Sequence, residues 1–272
     1  MALEPGVMFW AERDDFGLVR SLGLHFGQLG IPGGMSLTPD AANQWKASFA
    51  ETGFTLVTVF AAFEGESYAD IPTVCATVGF VPPATRHARE QRFIEVSDFA
   101  ARLGAPTVAC HIGCVPEDHS DPDFAAMRDL VRRVCDHAAR LGQAFALETG
   151  QERPEVLVDF IRAVDRPNLR VNFDPANMVL YGSGDPVEAL RLLAPWVISV
   201  HMKDGDPPPA GKPEALGVER PLGRGAVSIE RFLAALKGIG FTGPLNVERE
   251  AEDQAERWRD IASAVQQLTR RN

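Results

Sequence analysis

Eight short apolar runs, each followed by a longer stretch, recur from one end of the chain to the other. They are Val7–Trp10, Leu22–Phe26, Thr55–Phe63, Thr107–Gly113, Ala144–Glu148, Leu169–Asp174, Val197–His201 and Leu245–Glu248. Several are rich in β-branched and aromatic residues, as strands covered on both faces require. Helical patterns fill the spaces: Asp40–Thr52 behind the cap pair Thr38-Pro39, Arg86–Leu103, Asp123–Leu141 behind Asp121-Pro122, Pro154–Val164, Pro186–Leu193, Ser228–Ile239 and the tail Ala251–Arg271. Gly104, Gly142 and Gly240 fall where left-handed helix ends are expected. Strand and helix alternating in this way predict an α/β chain folded as one (β/α)8 TIM barrel over 1–272. The first unit is the weakest, because Asp15–Ser21 offers only a short helix.

Two segments break the rhythm. Glu64–Thr85 is a long excursion after the third strand, and Asp204–Val227 is a Pro- and Gly-rich loop after the seventh, containing Pro207-Pro208-Pro209. Loops of this length in a barrel serve as lids, binding loops or subunit contacts, and 204–227 reads as a lid. The surface is acidic: 37 Asp and Glu against 27 Lys and Arg give a formal charge of -10. That repels phosphate backbones and argues against nucleic acid. No apolar run is long enough to span a bilayer, and Met1–Asp15 lacks the basic and apolar regions of a signal peptide. The expectation is a cytoplasmic enzyme of a small molecule, with no membrane partner and with self-association into a homo-oligomer left open. The four cysteines, Cys75, Cys110, Cys114 and Cys135, form no CxxC pair and suit a reducing compartment. Cys110 and Cys114 bracket His111, but strand alternation points Cys110 away from His111, so ordinary thiols are expected rather than a zinc site.

The strand ends carry the chemistry. The fifth run ends in Glu148, the sixth in Asp174, the seventh in His201 and the eighth in Glu248. A barrel converges these ends on one mouth. One terminal carboxylate is unremarkable as a helix cap or surface charge. Three carboxylates and an imidazole on four successive strands make an oxygen-rich set with one nitrogen. It suits one divalent ion: Mn2+ first, with Mg2+, Co2+ or Zn2+ admissible.

The segments His111-Ile112-Gly113, Leu147-Glu148-Thr149, Asn172-Phe173-Asp174-Pro175-Ala176-Asn177, His201-Met202-Lys203-Asp204, Pro221-Leu222-Gly223-Arg224-Gly225 and Val247-Glu248-Arg249-Glu250 together resemble the xylose isomerase-like barrel superfamily. The resemblance is to the sugar phosphate isomerase/epimerase branch with D-tagatose 3-epimerase-like enzymes and inosose dehydratases, and it covers nearly the whole chain. It implies a metal held by Glu148, Asp174, His201 and Glu248. It also implies that Glu148 and Glu248 flank a keto-sugar, one removing a proton beside the carbonyl and the other returning it, through a metal-stabilised cis-enediolate. Two departures put the substrate in doubt. Asn177 stands where the epimerases often have His, and Pro207 where they have Arg; Lys203 points to the same face as His201 and can replace that charge. The related metal-dependent AP endonucleases need further histidines, which Ala61-Ala62-Phe63-Glu64 and Asn177 do not supply.

Substrate contacts are expected from His111, Asn177, Lys203, Glu64 and Arg224. For His111 the competing reading is a hydrogen-bonded structural histidine. Trp10 and Gln28 are further pocket candidates, and Glu152 is either a substrate contact or a solvated loop carboxylate. Lys212 and Arg224 offer charge near the last strands, where barrels often bind phosphate, but a lid stabilised by acids such as Glu219 explains them equally. The expected activity is that of a divalent-metal-dependent isomerase or epimerase of a keto-sugar or sugar phosphate. A lyase on the same enediolate path, acting on a keto-polyol or a 3-keto-glycoside, is the alternative. A non-catalytic sugar-binding protein is a third reading, disfavoured because binding alone does not require paired carboxylates across a metal.

Overall fold

A computed structural model describes residues 3–271; the outermost residues of the predicted 1–272 barrel, 1, 2 and 272, lie outside it. Eight parallel strands close into a barrel: β1 (Pro5–Trp10), β2 (Phe26–Ile31), β3 (Thr55–Ala61), β4 (Thr107–Cys110), β5 (Ala144–Glu148), β6 (Leu169–Phe173), β7 (Val197–Met202) and β10 (Leu245–Val247), with β10 sealing against β1 and β7. Two short strands, β8 (Asp204–Asp206) and β9 (Val218–Arg220), pair antiparallel outside it. The helices are α1 (Phe16–Ser21), α2 (Pro39–Thr52), α3 (Ile71–Thr77), α4 (Pro83–Leu103), α5 (Pro122–Arg140), α6 (Pro154–Val164), α7 (Pro175–Tyr181), α8 (Pro186–Leu193), α9 (Ile229–Gly238) and α10 (Gln254–Arg271).

Local chemistry explains most boundaries. Thr38, Asp121 and Asp185 accept backbone N–H bonds at the starts of α2, α5 and α8, each followed by Pro in the first turn. Gly104, Gly142 and Gly240 take positive φ at or just after helix ends. Ser228 occupies the cap position of α9 in a left-handed conformation, yet makes no capping bond. α3, within the Glu64–Thr85 excursion, and α7, directly after β6, are 7 residues each and are not among the predicted helices.

The second strand differs from its expected position. Leu22–Phe26 is mostly the turn after α1, and β2 runs Phe26–Ile31. Its glycines suggest a loop but serve close packing. A Cβ on Gly30 would meet the Trp10 indole at 2.4 Å, and one on Gly27 would meet the Phe54 ring and Val7 carbonyl at 2.6 Å. Helices and the outer strand faces share the main apolar core. Inside the barrel Met8, Phe60, Ala109 and Ala146 form a small apolar layer, and Gln28, Asn172, Ser199, His201 and Asn246 are fully or almost fully buried.

The cysteine expectation is corrected. Cys75 and Cys114 form a disulfide across 39 residues, with Cα atoms 5.0 Å apart, while Cys110 and Cys135 are free and buried. The excursion after β3 folds back onto the segment after β4, where Phe80 N donates to the Ile112 carbonyl, and α3 brings Cys75 to Cys114. Sequence spacing could not show a contact made by two loops of different barrel units. No helix among the described residues is long and apolar enough to cross a membrane.

Candidate metal centre

The parallel register sets four side chains at one depth. Glu148 ends β5, Asp174 directly follows β6, His201 lies near the end of β7 and Glu248 directly follows β10; Glu148 pairs with Asn172, and Asn246 pairs with His201. One ligand atom from each lies within 4.8 Å of the others, and all four residues are buried. His201 Nδ1 stands 2.9 Å from Glu148 Oε1, 3.2 Å from Glu248 Oε2 and 3.6 Å from Asp174 Oδ2.

The donor set fits a cation better than it fits itself. Asp174 Oδ1 caps α7, accepting from the backbone of Ala176 and Asn177, but Asp174 Oδ2 has no hydrogen-bond partner. His201 Nδ1 also lacks a bond of acceptable geometry despite its short distances to the carboxylates. Although the Lys203 ammonium lies 3.5 Å from Asp174 Oδ2, two buried atoms without hydrogen bonds facing each other among carboxylates are costly, and a metal ion between them would satisfy both. His201 Nε2 donates to Gln28 Oε1 at 2.6 Å, so Nδ1 is the nitrogen turned to the carboxylates; burial opposes a charge on the ring, but Glu248 and Glu148 outweigh it, and a bound metal would take the place of that Nδ1 proton. Gln28 is itself held by Asn172 and Ser199. Expected as a pocket residue, Gln28 is instead fully buried and bonded to His201.

The two glutamates have separate supports. Glu148 Oε2 is 2.9 Å from His111 Nε2, and Asn177 Nδ2 donates to Glu148 Oε1 at 3.3 Å. His111 Nδ1 accepts from Gln151, which also donates to the Tyr181 hydroxyl. Burial works against the charge on Glu148, but His111 and His201 outweigh it and hold its pKa down to about 2. On the other flank Lys203 Nζ donates to Glu248 Oε2 at 2.9 Å and Asn177 Oδ1 at 3.2 Å, and lies 3.5 Å from Asp174 Oδ2. Burial again opposes ionisation, and the charges of His201 and Lys203 hold Glu248 well below the usual carboxylate range. Both glutamates are therefore anions at neutral pH.

A cavity of about 420 Å³ opens above this floor. Trp10, Phe60, Glu66, Tyr68, His111 and Glu148 line one side, and Asn177, Leu180, Tyr181, Lys203, Leu216, Glu219, Glu248 and Glu250 line the rest. Of the expected contacts, His111, Asn177, Lys203 and Trp10 line it. Glu64 and Arg224 do not: both are exposed, and the Glu64 carbonyl accepts from Arg89. Two residues beyond Glu64, Glu66 turns inward, accepting from the backbone of Phe63 and Gly79. Glu152 is neither solvated nor in the cavity wall. It is buried and accepts from Val115 N at 3.0 Å. Glu66, Tyr68, Tyr181, Leu180 and Leu216 carry no periodic signal, since all five come from loops or short helices outside the strand-end pattern.

A model of the xylose isomerase-like TIM barrel family matches residues 16–269. The chain belongs to that family. The family's solved structures include a xylose isomerase domain protein from Planctomyces limnophilus, 40% identical, with a TM-score of 0.96 over 99% of this chain and 97% of that one. More distant in sequence is a D-psicose 3-epimerase with D-tagatose from Clostridium cellulolyticum H10, 17% identical, TM-score 0.70, covering 98% of this chain and 99% of that one. A probable 3-DHS dehydratase from Bacillus anthracis, 15% identical, gives a TM-score of 0.70 over 99% of this chain and 100% of that one. Among curated proteins none matches this chain.

Proposed function

We propose that this chain is a divalent-metal-dependent sugar isomerase or epimerase, acting on a keto-sugar by proton removal and return at a carbon beside the carbonyl. The observation that carries the reading is the pair of ionised, buried glutamates, Glu148 and Glu248, on the two sides of His201 at the floor of one cavity. Asp174, His201 and one oxygen of each glutamate would hold the ion, for which Mn2+ is the first candidate. When bound, it supplies Lewis-acid polarisation of the substrate carbonyl and neighbouring hydroxyl.

The chain's own residues supply the rest. Glu148, kept ionised and oriented by His111, is a base able to take a proton from one face of the substrate carbon. Glu248 stands on the other flank, held by the Lys203 ammonium at 2.9 Å, and is the group that would carry a proton to and from the opposite face. Asn177 ties the flanks together by donating to Glu148 and accepting from Lys203. Phe60, whose ring centroid is 5.6 Å from that of His201, keeps the floor dry. The 204–227 segment, as a wall or lid, would exclude water from the enediolate. A lyase is the second reading: Lys203 lines the same cavity, where an ammonium would stabilise a departing β-oxygen.

The test is incubation of metal-loaded protein with a panel of keto-sugars in D2O. Epimerisation or isomerisation places deuterium in a product of otherwise unchanged composition, and elimination releases water or an aglycone. Glu148→Gln and Glu248→Gln should each slow turnover by orders of magnitude. The variant that keeps the first base should still exchange the α-proton, and the roles should reverse from the other epimer. Near wild-type turnover in both metal-loaded variants would sink the two-base assignment.

A further inference from the structure

The outer half of the cavity differs in chemistry from its floor. Phe60, Glu148, His111, Lys203 and Glu248 make the deep end, and the rim is built from Trp10, Tyr68, Leu180, Tyr181 and Leu216. Three carboxylates also reach the rim, but each is engaged within the protein. Glu66 accepts from Phe63 N and Gly79 N, Glu219 from Arg249 and Glu250 N, and Glu250 from Trp10 Nε1 and Arg13. Among the described residues Lys203 is the one lysine or arginine lining the cavity, and it is held at the floor by Glu248 and Asn177. What faces the outer space is therefore mainly ring and branched carbon, edged by negative charge.

This wall is assembled before any ligand arrives. Leu180 sits on α7, directly after the ligand Asp174, and the 204–227 segment packs on it. Gly217 N donates to the Leu180 carbonyl at 2.8 Å, and a Cβ on Gly205 would strike the Leu180 side chain at 2.8 Å. Both carboxylate oxygens of Asp204 pin the same segment, accepting from Gly205, Val227, Gly223 and Gly225 backbone N–H groups. On its far side Ile71 N donates to the Glu214 carbonyl, joining the segment to the loop that bears Tyr68. At about 420 Å³ the space lies in the range that encloses drug-sized ligands.

We infer that the rim is a subsite for a neutral, apolar substituent, so that the substrate is a sugar carrying an aryl or alkyl aglycone and not a sugar phosphate. This rests on the sugar-isomerase reading of the floor and specifies its substrate class. A phosphate would meet Glu66, Glu219 and Glu250, and among the described residues lining the cavity no lysine or arginine is free to receive it. A second polyhydroxylated ring would find few uncommitted donors among the described residues. A planar or branched apolar group would bury against Tyr68, Tyr181, Leu180 and Leu216. Since a glycosidic bond blocks the anomeric carbon, the ketone of such a substrate lies on another ring carbon.

The experiment measures binding of paired methyl and phenyl β-D-glycosides of glucose, galactose, mannose and xylose to metal-loaded protein by calorimetry, with glucose 6-phosphate alongside. For whichever sugar binds, the phenyl glycoside should bind roughly 10–100-fold more tightly than its methyl partner, as burial of one aromatic ring predicts. Leu216→Ser and Tyr68→Ser, on two separate loops, should each bring that ratio toward one. A wild-type ratio near one, tighter binding of the phosphate, or no glycoside binding at all overturns the subsite. A preserved ratio without α-proton exchange on any keto-sugar would overturn the isomerase reading and leave the subsite standing; exchange on free keto-sugars with a ratio of one does the reverse.

Discussion

Replacing Glu152 by Gln should stabilise the protein in alkaline solution and leave it unchanged in acid. Glu152 is buried, its side chain accepts from Val115 N, and burial raises its pKa from 4.5 to about 7. The hydrogen bond and the charge of His111 oppose that rise without cancelling it. Because the folded state raises this acid's pKa, it binds the proton more tightly than the unfolded chain does. Stability from this group is therefore complete below 4.5, falls as pH climbs toward 7, and is fully lost above it. The interval from 4.5 to about 7, at 1.36 kcal/mol per pH unit, corresponds to roughly 3 kcal/mol. Gln keeps a carbonyl oxygen for Val115 N and cannot ionise. At pH 8 the variant should be more stable by up to roughly 3 kcal/mol, or about 6–10 °C in Tm for a chain of this size. At pH 4 the two proteins should coincide. Thermal scans of both proteins from pH 4 to 8 give the difference curve, in which titrations common to both cancel. A difference that is flat with pH, or a Gln variant less stable at pH 8, would refute the buried-acid reasoning.

Gln28→Leu should weaken binding of the metal by about 10–100-fold, read by Mn2+ titration, since the bond that fixes the His201 tautomer is lost; unchanged affinity would remove Gln28 from that role. Asp14→Ala should cost about 3–5 kcal/mol in urea unfolding, because it strands Arg257, whose side chain is 0% exposed, without its carboxylate partner. A loss below about 1 kcal/mol would contradict that pairing. Under non-reducing denaturation only Cys110 and Cys135 should alkylate. Reducing the Cys75–Cys114 bridge, which closes a segment of 39 residues, should lower stability by roughly 3–4 kcal/mol; four reactive thiols before reduction would rule the bridge out.

The fold and the candidate metal centre are readable for the same physical reason. A parallel strand buried on both faces must be apolar along its length, so Glu148, Asp174, His201 and Glu248 stand out at the ends of Ala144–Glu148, Leu169–Phe173, Val197–Met202 and Leu245–Val247. β2 broke that rule. Its glycines make room for Trp10 and Phe54, a reason visible only once the neighbouring strands are in place. The floor of the site inherits its geometry from strand register, whereas the cavity wall is made by tertiary contacts of irregular segments. Glu64 illustrates the difference: continuing the strand rule past Ala61 selects it, but the chain turns at Gly65 with positive φ and presents Glu66 and Tyr68 instead. Arg224 shows it again, since its neighbours Gly223 and Gly225 are bound by Asp204 and leave the Arg side chain outside. His111 was placed at the mouth by alternation, but its contact with Glu148 depends on a neighbouring strand.

Four strand ends are proposed to hold one divalent ion. The most direct measurement is metal content per chain by elemental analysis, after removal of metal and reloading with Mn2+, for the native protein beside Asp174→Ala and His201→Ala. Asp174 Oδ2 and His201 Nδ1 are the two orphaned buried atoms at the centre of the group, so removing either should empty it. The prediction is close to one ion per native chain and almost none in either variant, with both variants still folded by circular dichroism. Native protein that takes up no ion, or folded variants that retain a full complement, would contradict the account.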